Sequence, residues 1–305
     1  MVNDQWYFSK DDLQYTPSVI DGMTVRDEQM DRTKGCLYIA AIGAKLNFTR
    51  PQLAVATACT FLHRFYMRHS MAKYHVYIEE AGSICLTWDI GATCLFVATK
   101  AEESTRRMKD FVLACAQKAQ KNDKLQLTED SKDFIKWKET LLYNEIVLLH
   151  ALCFDIALEH PYACLLEMEK ELELSQTCVK RAWFLLYQSL GATFCLYYKP
   201  RTIAAAAIAL SWQFSSEQPP SGGKWWDTVG VDPEQTYELA AEMVDFYEDH
   251  YTRSSSKAST PRHHSSQQQL HYSQGSSSQH NRSPSSQHRH YSSQHQHHHQ
   301  QHQHH

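Results

Sequence analysis

Apolar residues recur at helical spacing along the first 250 or so positions of this chain, and strand-like alternation is weak throughout. The periodicity predicts helices over about 33–46, 50–68, 89–102, 105–119 and 133–152. A second set is expected over 160–173, 175–195 and 200–214, with a short turn near 225–229 and a last helix over 233–250. Start signals support these positions. Thr49-Arg50-Pro51-Gln52 reads as a capping box, in which the Thr hydroxyl and the Gln side chain satisfy each other's free backbone N–H groups. The helix it opens runs through Leu53, Ala56, Phe61 and Phe65 and is apolar nearly all round, as suits the middle of a bundle. Asp232-Pro233-Glu234-Gln235 repeats the signature with Pro at the first helical position, and His160-Pro161 and Lys199-Pro200 mark two more starts.

The two sets share a pattern. Each places an Ala-rich helix third, from Ala92 to Ala101 and from Ile203 to Leu210. Small side chains allow close approach of neighbours, so each such helix is expected at the centre of its bundle. The pattern reads as a diverged duplication with a joint near 153–159. The expected fold class is all-α, with two tandem five-helix repeats. The expected organisation is an N-terminal lead-in and helix over 1–32, a first repeat over 33–156, a second over 157–251, and a tail over 252–305. Gln218-Pro219-Pro220-Ser221-Gly222-Gly223 reads as a loop by its helix breakers. The tail holds 13 of the 19 His, mixed with Ser and Gln. It has too little apolar area to offset chain entropy and is expected to be disordered.

Composition narrows the chemistry. The net charge is −4 with His neutral, and the isoelectric point is about 6.5, so a polyanion-binding module with a basic face is not indicated. The nine Cys include no C-x-x-C pair and sit mostly in apolar stretches, which points to free thiols, a reducing compartment and no metal site. No apolar run reaches the ~18–20 residues that span a bilayer, and the first residues lack the pattern of a signal peptide. A soluble intracellular protein is expected, with no membrane partner. Phosphate-cradling and hydrolase motifs are absent, no cofactor is implied, and the chain is read as a non-enzyme.

Two charges stand out against this background. Lys100 closes an apolar helix, and Glu145 is the one carboxylate in the run Leu141 to Leu149. Together they would form a polar spot on an apolar surface, an arrangement suited to gripping another protein. His63 and Arg64 on the second helix, and the adjacent Trp225 and Trp226, read as structural residues.

Several segments, in order, resemble the transcriptional cyclins of the T and K types and their fungal counterparts. These are Trp6-Tyr7-Phe8 with Thr16-Pro17-Ser18, then His63-Arg64-Phe65-Tyr66, then Cys94-Leu95-Phe96-Val97-Ala98-Thr99-Lys100-Ala101-Glu102-Glu103. They continue with Glu145 to Leu152, Phe154-Asp155, His160-Pro161 and Gly223-Lys224-Trp225-Trp226. The segment 74–88 is longer than the family pattern, and Val-Ala-Thr-Lys stands where Leu-Ala-Ala-Lys is usual. The resemblance implies two cyclin boxes and a regulatory subunit that activates a cyclin-dependent kinase. It implies that Lys100 and Glu145 contact the kinase's mobile αC helix, with Phe96, Glu102 and Glu103 beside them. It further implies a nuclear protein promoting phosphorylation of the RNA polymerase II repeat tail and elongation, with the His-rich segment engaging that repeat tail weakly. Two other readings use the same fold. A B-type general transcription factor would bring a zinc ribbon and a basic core, which are not present here, and a silent helical scaffold would bind no kinase. Specific DNA binding is not expected.

Overall fold

The computed structural model describes residues 4–48, 51–74, 90–215, 217–220 and 224–258. Thr49 of the expected capping box, the long segment after Tyr74, residues 221–223 and the tail from 259 onward lie outside the described residues. Among the described residues all regular structure is helical. Short 3-10 turns at Asp4–Trp6 and Lys10–Tyr15 precede α1 (Pro17–Ile20). Five longer helices follow: α2 (Val25–Lys45), α3 (Pro51–Phe65), α4 (Ile90–Ala101), α5 (Met108–Ala119) and α6 (Lys132–Ala151). The second set comprises α7 (Pro161–Glu171), α8 (Gln176–Ser189), α9 (Pro200–Ser215), the short α10 (Trp225–Val229) and α11 (Pro233–Ala258), with a 3-10 turn at Thr193–Leu196.

Three helices depart from the expected bounds. The first long helix begins at Val25 instead of 33, because the Thr24 hydroxyl caps the Asp27 N–H. Its early polar residues are not a solvated lead-in. Glu28 and Arg32, one turn apart, are both buried, and Arg32 Nη2 donates to Glu28 Oε1 at 2.6 Å. Thr16 donates its hydroxyl proton to the same carboxylate, and Arg32 Nη1 donates to the His63 carbonyl at 2.8 Å. The helix expected over 175–195 stops at Ser189. There Gly191 comes so close to α2 and α11 that an added Cβ would lie 3.1 Å from Thr33 and 3.2 Å from Phe246. The last helix runs to Ala258, so residues 252–258 of the segment expected to be disordered are helical.

The buried residues form two clusters. One is built from α2 to α6 and the other mainly from α7 to α11. The Ala-rich helices sit where small side chains predict. Every residue of α4 from Ile90 to Thr99 is buried, and α9 is buried from Thr202 through Ile208. Helix α3 serves both clusters. Its Phe61, Leu62 and Phe65 pack in the first and its Ala56 in the second, which explains a helix apolar on every side. An N-terminal hook adds a third tie. Trp6 is fully buried, with the guanidinium groups of Arg64 and Arg68 4.9 and 4.4 Å from its ring centre, and its indole N–H donates to Asp155 at 2.9 Å. Two residues on, the Phe8 N–H donates to the Leu196 carbonyl at 2.7 Å.

Helices α4, α5, α6 and α7 end alike. A residue with positive φ follows the last turn: Glu103 (50°), Lys121 (50°), Cys153 (52°) and Glu173 (50°). The next N–H reaches back five residues, as from Ser104 to Thr99 at 2.8 Å and from Phe154 to Leu149 at 2.9 Å. Glycine usually takes this left-handed position. Here side-chain-bearing residues occupy it.

Candidate functional site: a charged pair on an apolar helix face

The last turn of α4 and the middle of α6 lie side by side. Lys100 Nζ donates to both Glu145 oxygens, at 2.6 and 2.8 Å. The ammonium also sits 4.3 Å from the centre of the Phe96 ring, one helical turn back. Phe96 is itself buried and packs edge-on against Phe111 of α5, with ring centres 5.3 Å apart. Three of the five expected contact residues therefore converge: an aromatic floor, a cation above it and a carboxylate that holds the cation. The Lys100 side chain is 42% exposed and that of Glu145 17%, so the pair lies at the surface. A cation at the C-terminal end of a helix is also favoured by the helix dipole.

Exposed apolar side chains lie near the pair. Leu142, Tyr143 and Ile146 on α6 are 40%, 56% and 60% exposed, and Ile135 lies two turns earlier on the same helix. Leu142 and Ile146 are one turn apart, and Glu145 lies at the edge of their stripe. The inner face of α6 carries Phe134, Trp137, Leu141 and Leu148 into the core. The helix thus buries one apolar face in this chain and exposes further apolar side chains on the other, with the exposed Lys138 and Glu139 among them.

The two remaining residues diverge. Glu103 is exposed, in the left-handed position that closes α4. Glu102 turns inward. Its Oε1 accepts from the Thr57 hydroxyl at 2.7 Å and lies 3.5 Å from His160 Nε2. Burial holds the His160 imidazole below its ordinary value, and the Glu102 carboxylate works against that shift.

The residues read as structural have core environments. His63 is buried, with Nε2 3.0 Å from the Leu190 carbonyl and 3.5 Å from Cys36 Sγ. Arg64 lies against Trp6 and 3.8 Å from Asp155. Both line a cavity of about 420 Å³ between the two clusters, together with His160, Tyr162 and Tyr198. Trp225 is fully buried, 5.1 Å from Trp212, while Trp226 is half-buried between Trp225 and Tyr237, at 6.2 and 6.3 Å. Among the described residues no group of His, Cys, Asp and Glu is arranged to hold a metal ion.

Sequence reasoning missed the buried Glu28–Arg32 pair and the Thr57–His160 contact. The first had a local signal, opposite charges four residues apart, but that spacing usually marks a solvated face. The second had none, because its partners are 103 residues apart.

Known proteins share this architecture. A chain of the yeast RNA Pol II CTD kinase CTDK-1 complex superposes with a TM-score of 0.62 at 17% identity, over 79% of this chain and 72% of that one. A chain of the CAK complex from Chaetomium thermophilum gives 0.56 at 19% identity, over 79% and 76%. At such identities the likeness establishes the fold. In sequence, the chain is 42% identical over 215 residues to Cyclin pch1 of Schizosaccharomyces pombe, spanning 70% of this chain and 58% of that protein. It is 32% identical over 249 residues to Cyclin-T1-3 of Oryza sativa subsp. japonica (80% and 48%) and 30% over 254 residues to human Cyclin-K (79% and 40%). The chain thus spans about half the length of these relatives. The family model of the cyclin N-terminal domain matches residues 5–157, from the Trp6 hook past the end of α6, and this chain belongs to the cyclin family.

Proposed function

We propose that the chain is the regulatory subunit of a cyclin-dependent protein kinase and that the α4–α6 face is where the kinase docks. The observation that carries this reading is the Lys100–Glu145 pair set among exposed Leu142, Tyr143 and Ile146. A protein kinase is active only when its αC helix swings in and completes a Lys–Glu ion pair. A partner that binds the swung-in state alone shifts that equilibrium. Moving it from 1:99 to 99:1 takes roughly 5.5 kcal/mol of differential affinity. The apolar stripe supplies buried area for this. The charged pair supplies register, because a misplaced partner would bury a charge without its hydrogen bonds. The likeness to transcriptional cyclins favours a kinase that phosphorylates the repeat tail of RNA polymerase II in the nucleus. It also favours a weak, multivalent contact of the His-rich segment with that repeat tail. The division into boxes over 33–156 and 157–251 belongs to the same proposal.

Affinity capture of the tagged full chain, with mass spectrometry of what is bound, tests it. A stoichiometric protein kinase is expected, with activity on repeat-tail peptides. Lys100→Ala and Glu145→Ala should leave thermal unfolding within about 1 kcal/mol of the parent, since exposed pairs contribute little to stability. Both should weaken kinase capture. Recovery of no kinase, or undiminished capture by both variants, would overturn the reading.

A further inference from the structure

We infer that Thr57, Glu102 and His160 form a hydrogen-bonded strut that holds the last turn of α4 in register for the kinase, so that Glu102 is a positioning residue. The inference rests on the reading of the Lys100–Glu145 face as the kinase-binding surface.

The strut joins three elements distant in sequence. Thr57 lies in α3 and is fully buried. Glu102 follows α4 directly, and His160 precedes α7. Thr57 has one hydroxyl proton. It donates that proton to Glu102 Oε1 at 2.7 Å and stands 2.8 Å from His160 Nε2, so its lone pair faces the imidazole N–H. The chain of donors therefore runs from His160 through Thr57 to the Glu102 carboxylate. His160 occupies the N-cap position of α7, yet its side chain makes no bond to that helix. It reaches across to α3 instead, and so ties the start of the second set of helices to the end of α4.

The geometry of that end explains what the strut does. The backbone of α4 closes on Glu102 and the two residues after it: Glu102 N–H to Ala98 at 2.9 Å, Glu103 N–H to Lys100 at 3.3 Å, and Ser104 N–H to Thr99 at 2.8 Å. Glu103 sits at φ 50°, a position that a residue with a Cβ occupies at a cost. Residues two apart on a helix point about 200° from one another. Glu102, drawn inward, thus fixes the rotation that presents Lys100 outward to Glu145. Losing the inward anchor lets the turn unwind or rotate, and the outward cation leaves its place over Phe96.

The free chain and the kinase-bound chain test this separately. Thr57→Val keeps the shape of the side chain and removes the hydroxyl. In the free full-length chain, hydrogen exchange at the amides of Glu102, Glu103 and Ser104 should quicken by about threefold to tenfold, the effect of one net hydrogen bond. Capture of the co-purifying kinase should weaken by a similar factor, about threefold to tenfold. Glu102→Ala should do the same, and it keeps the test usable if Thr57→Val fails to fold. Glu102→Gln retains the carbonyl acceptor and should restore most of both readouts. Lys100→Ala should weaken capture while leaving the exchange of these three amides unchanged. Unaltered exchange in Thr57→Val and Glu102→Ala overturns the strut, as does faster exchange with undiminished capture. Normal capture by Lys100→Ala and Glu145→Ala instead sinks the docking face itself, whatever the exchange shows.

Discussion

The two central helices, α4 and α9, are built alike and finished differently. Both are rich in small residues and buried over most of their length. Helix α4 carries its charge at the C-terminal end, where Lys100 meets Glu145 beside an uncovered apolar stripe. Helix α9 carries its charge at the start. There Arg201 donates to Glu167 and Glu171 of α7 and to the Val229 carbonyl, which fastens its own neighbours together. The fifth helices differ in the same sense. Helix α6 exposes Ile135, Leu142, Tyr143 and Ile146, whereas α11 exposes Tyr237 and has Glu238 and Glu242 engaged by Lys10 of the N-terminal segment. One scaffold thus appears twice, with four exposed apolar side chains on the fifth helix of the first copy, while the second copy exposes Phe184, Phe214 and Tyr237 on three different helices. The core sets the fold, and the side chains just outside the core distinguish the two copies.

The largest expected effect tests whether the first copy depends on its buried charges. Arg32→Met preserves volume but strands the Glu28 carboxylate. It should cost about 3–5 kcal/mol, the usual result of removing one member of a buried pair. Urea unfolding would show it, and a loss below about 1 kcal/mol would mean that other groups satisfy the Glu28 carboxylate. Next comes the asymmetry of surfaces. Ile146→Asp on α6 should weaken kinase capture at least tenfold, about 1.4 kcal/mol, with thermal unfolding little changed. Tyr237→Asp, at a comparably exposed site on α11, should leave capture intact. Equal losses from both would erase the distinction between the copies.

A smaller effect concerns the joint between them. Burial lowers the His160 pKa from its ordinary 6.5, against the pull of Glu102. Burial, with Arg68 and Lys73, lowers that of His69 as well. In the unfolded chain these imidazoles take up protons as the pH falls through about 6.5, while in the folded chain they resist. The unfolded state then binds more protons, so stability is full above that pH and declines below it. Thermal midpoints recorded from pH 7.5 to 5.5 should fall, and less steeply in His69→Gln/His160→Gln. A midpoint that rises on acidification would refute the assignment. The smallest effect concerns the helix ends. Lys121→Gly in the first copy and Glu173→Gly in the second should each stabilise by about 0.5–1 kcal/mol, because glycine accepts positive φ without strain. The two gains should be alike, since the closure is made by the backbone.

The helical fold was legible because apolar spacing of 3.6 residues is a local signal, and so were the Lys100 and Glu145 positions, as lone charges in apolar runs. What escaped was set by distant partners. Glu102 and Glu103 read alike as a charged helix end. Only the nearness of Thr57 and His160 turns one inward and leaves the other in solvent. The stop of α8 at Ser189 likewise depends on how close α2 and α11 come to Gly191. The early start of α2 was hidden because Glu28 and Arg32 look like surface residues until their burial is seen.

The hook at Trp6 has a consequence for the order in which the molecule comes together. The segment around Trp6 and Phe8 finds its partners at Arg64, Arg68, Asp155 and Leu196. Leu196 must emerge before this segment can dock completely, so a stretch that precedes every long helix described above is a late piece to settle. A bulky fusion placed directly against Trp6 would interfere with that final latch, whereas one added after the end of α11 would leave it free to close.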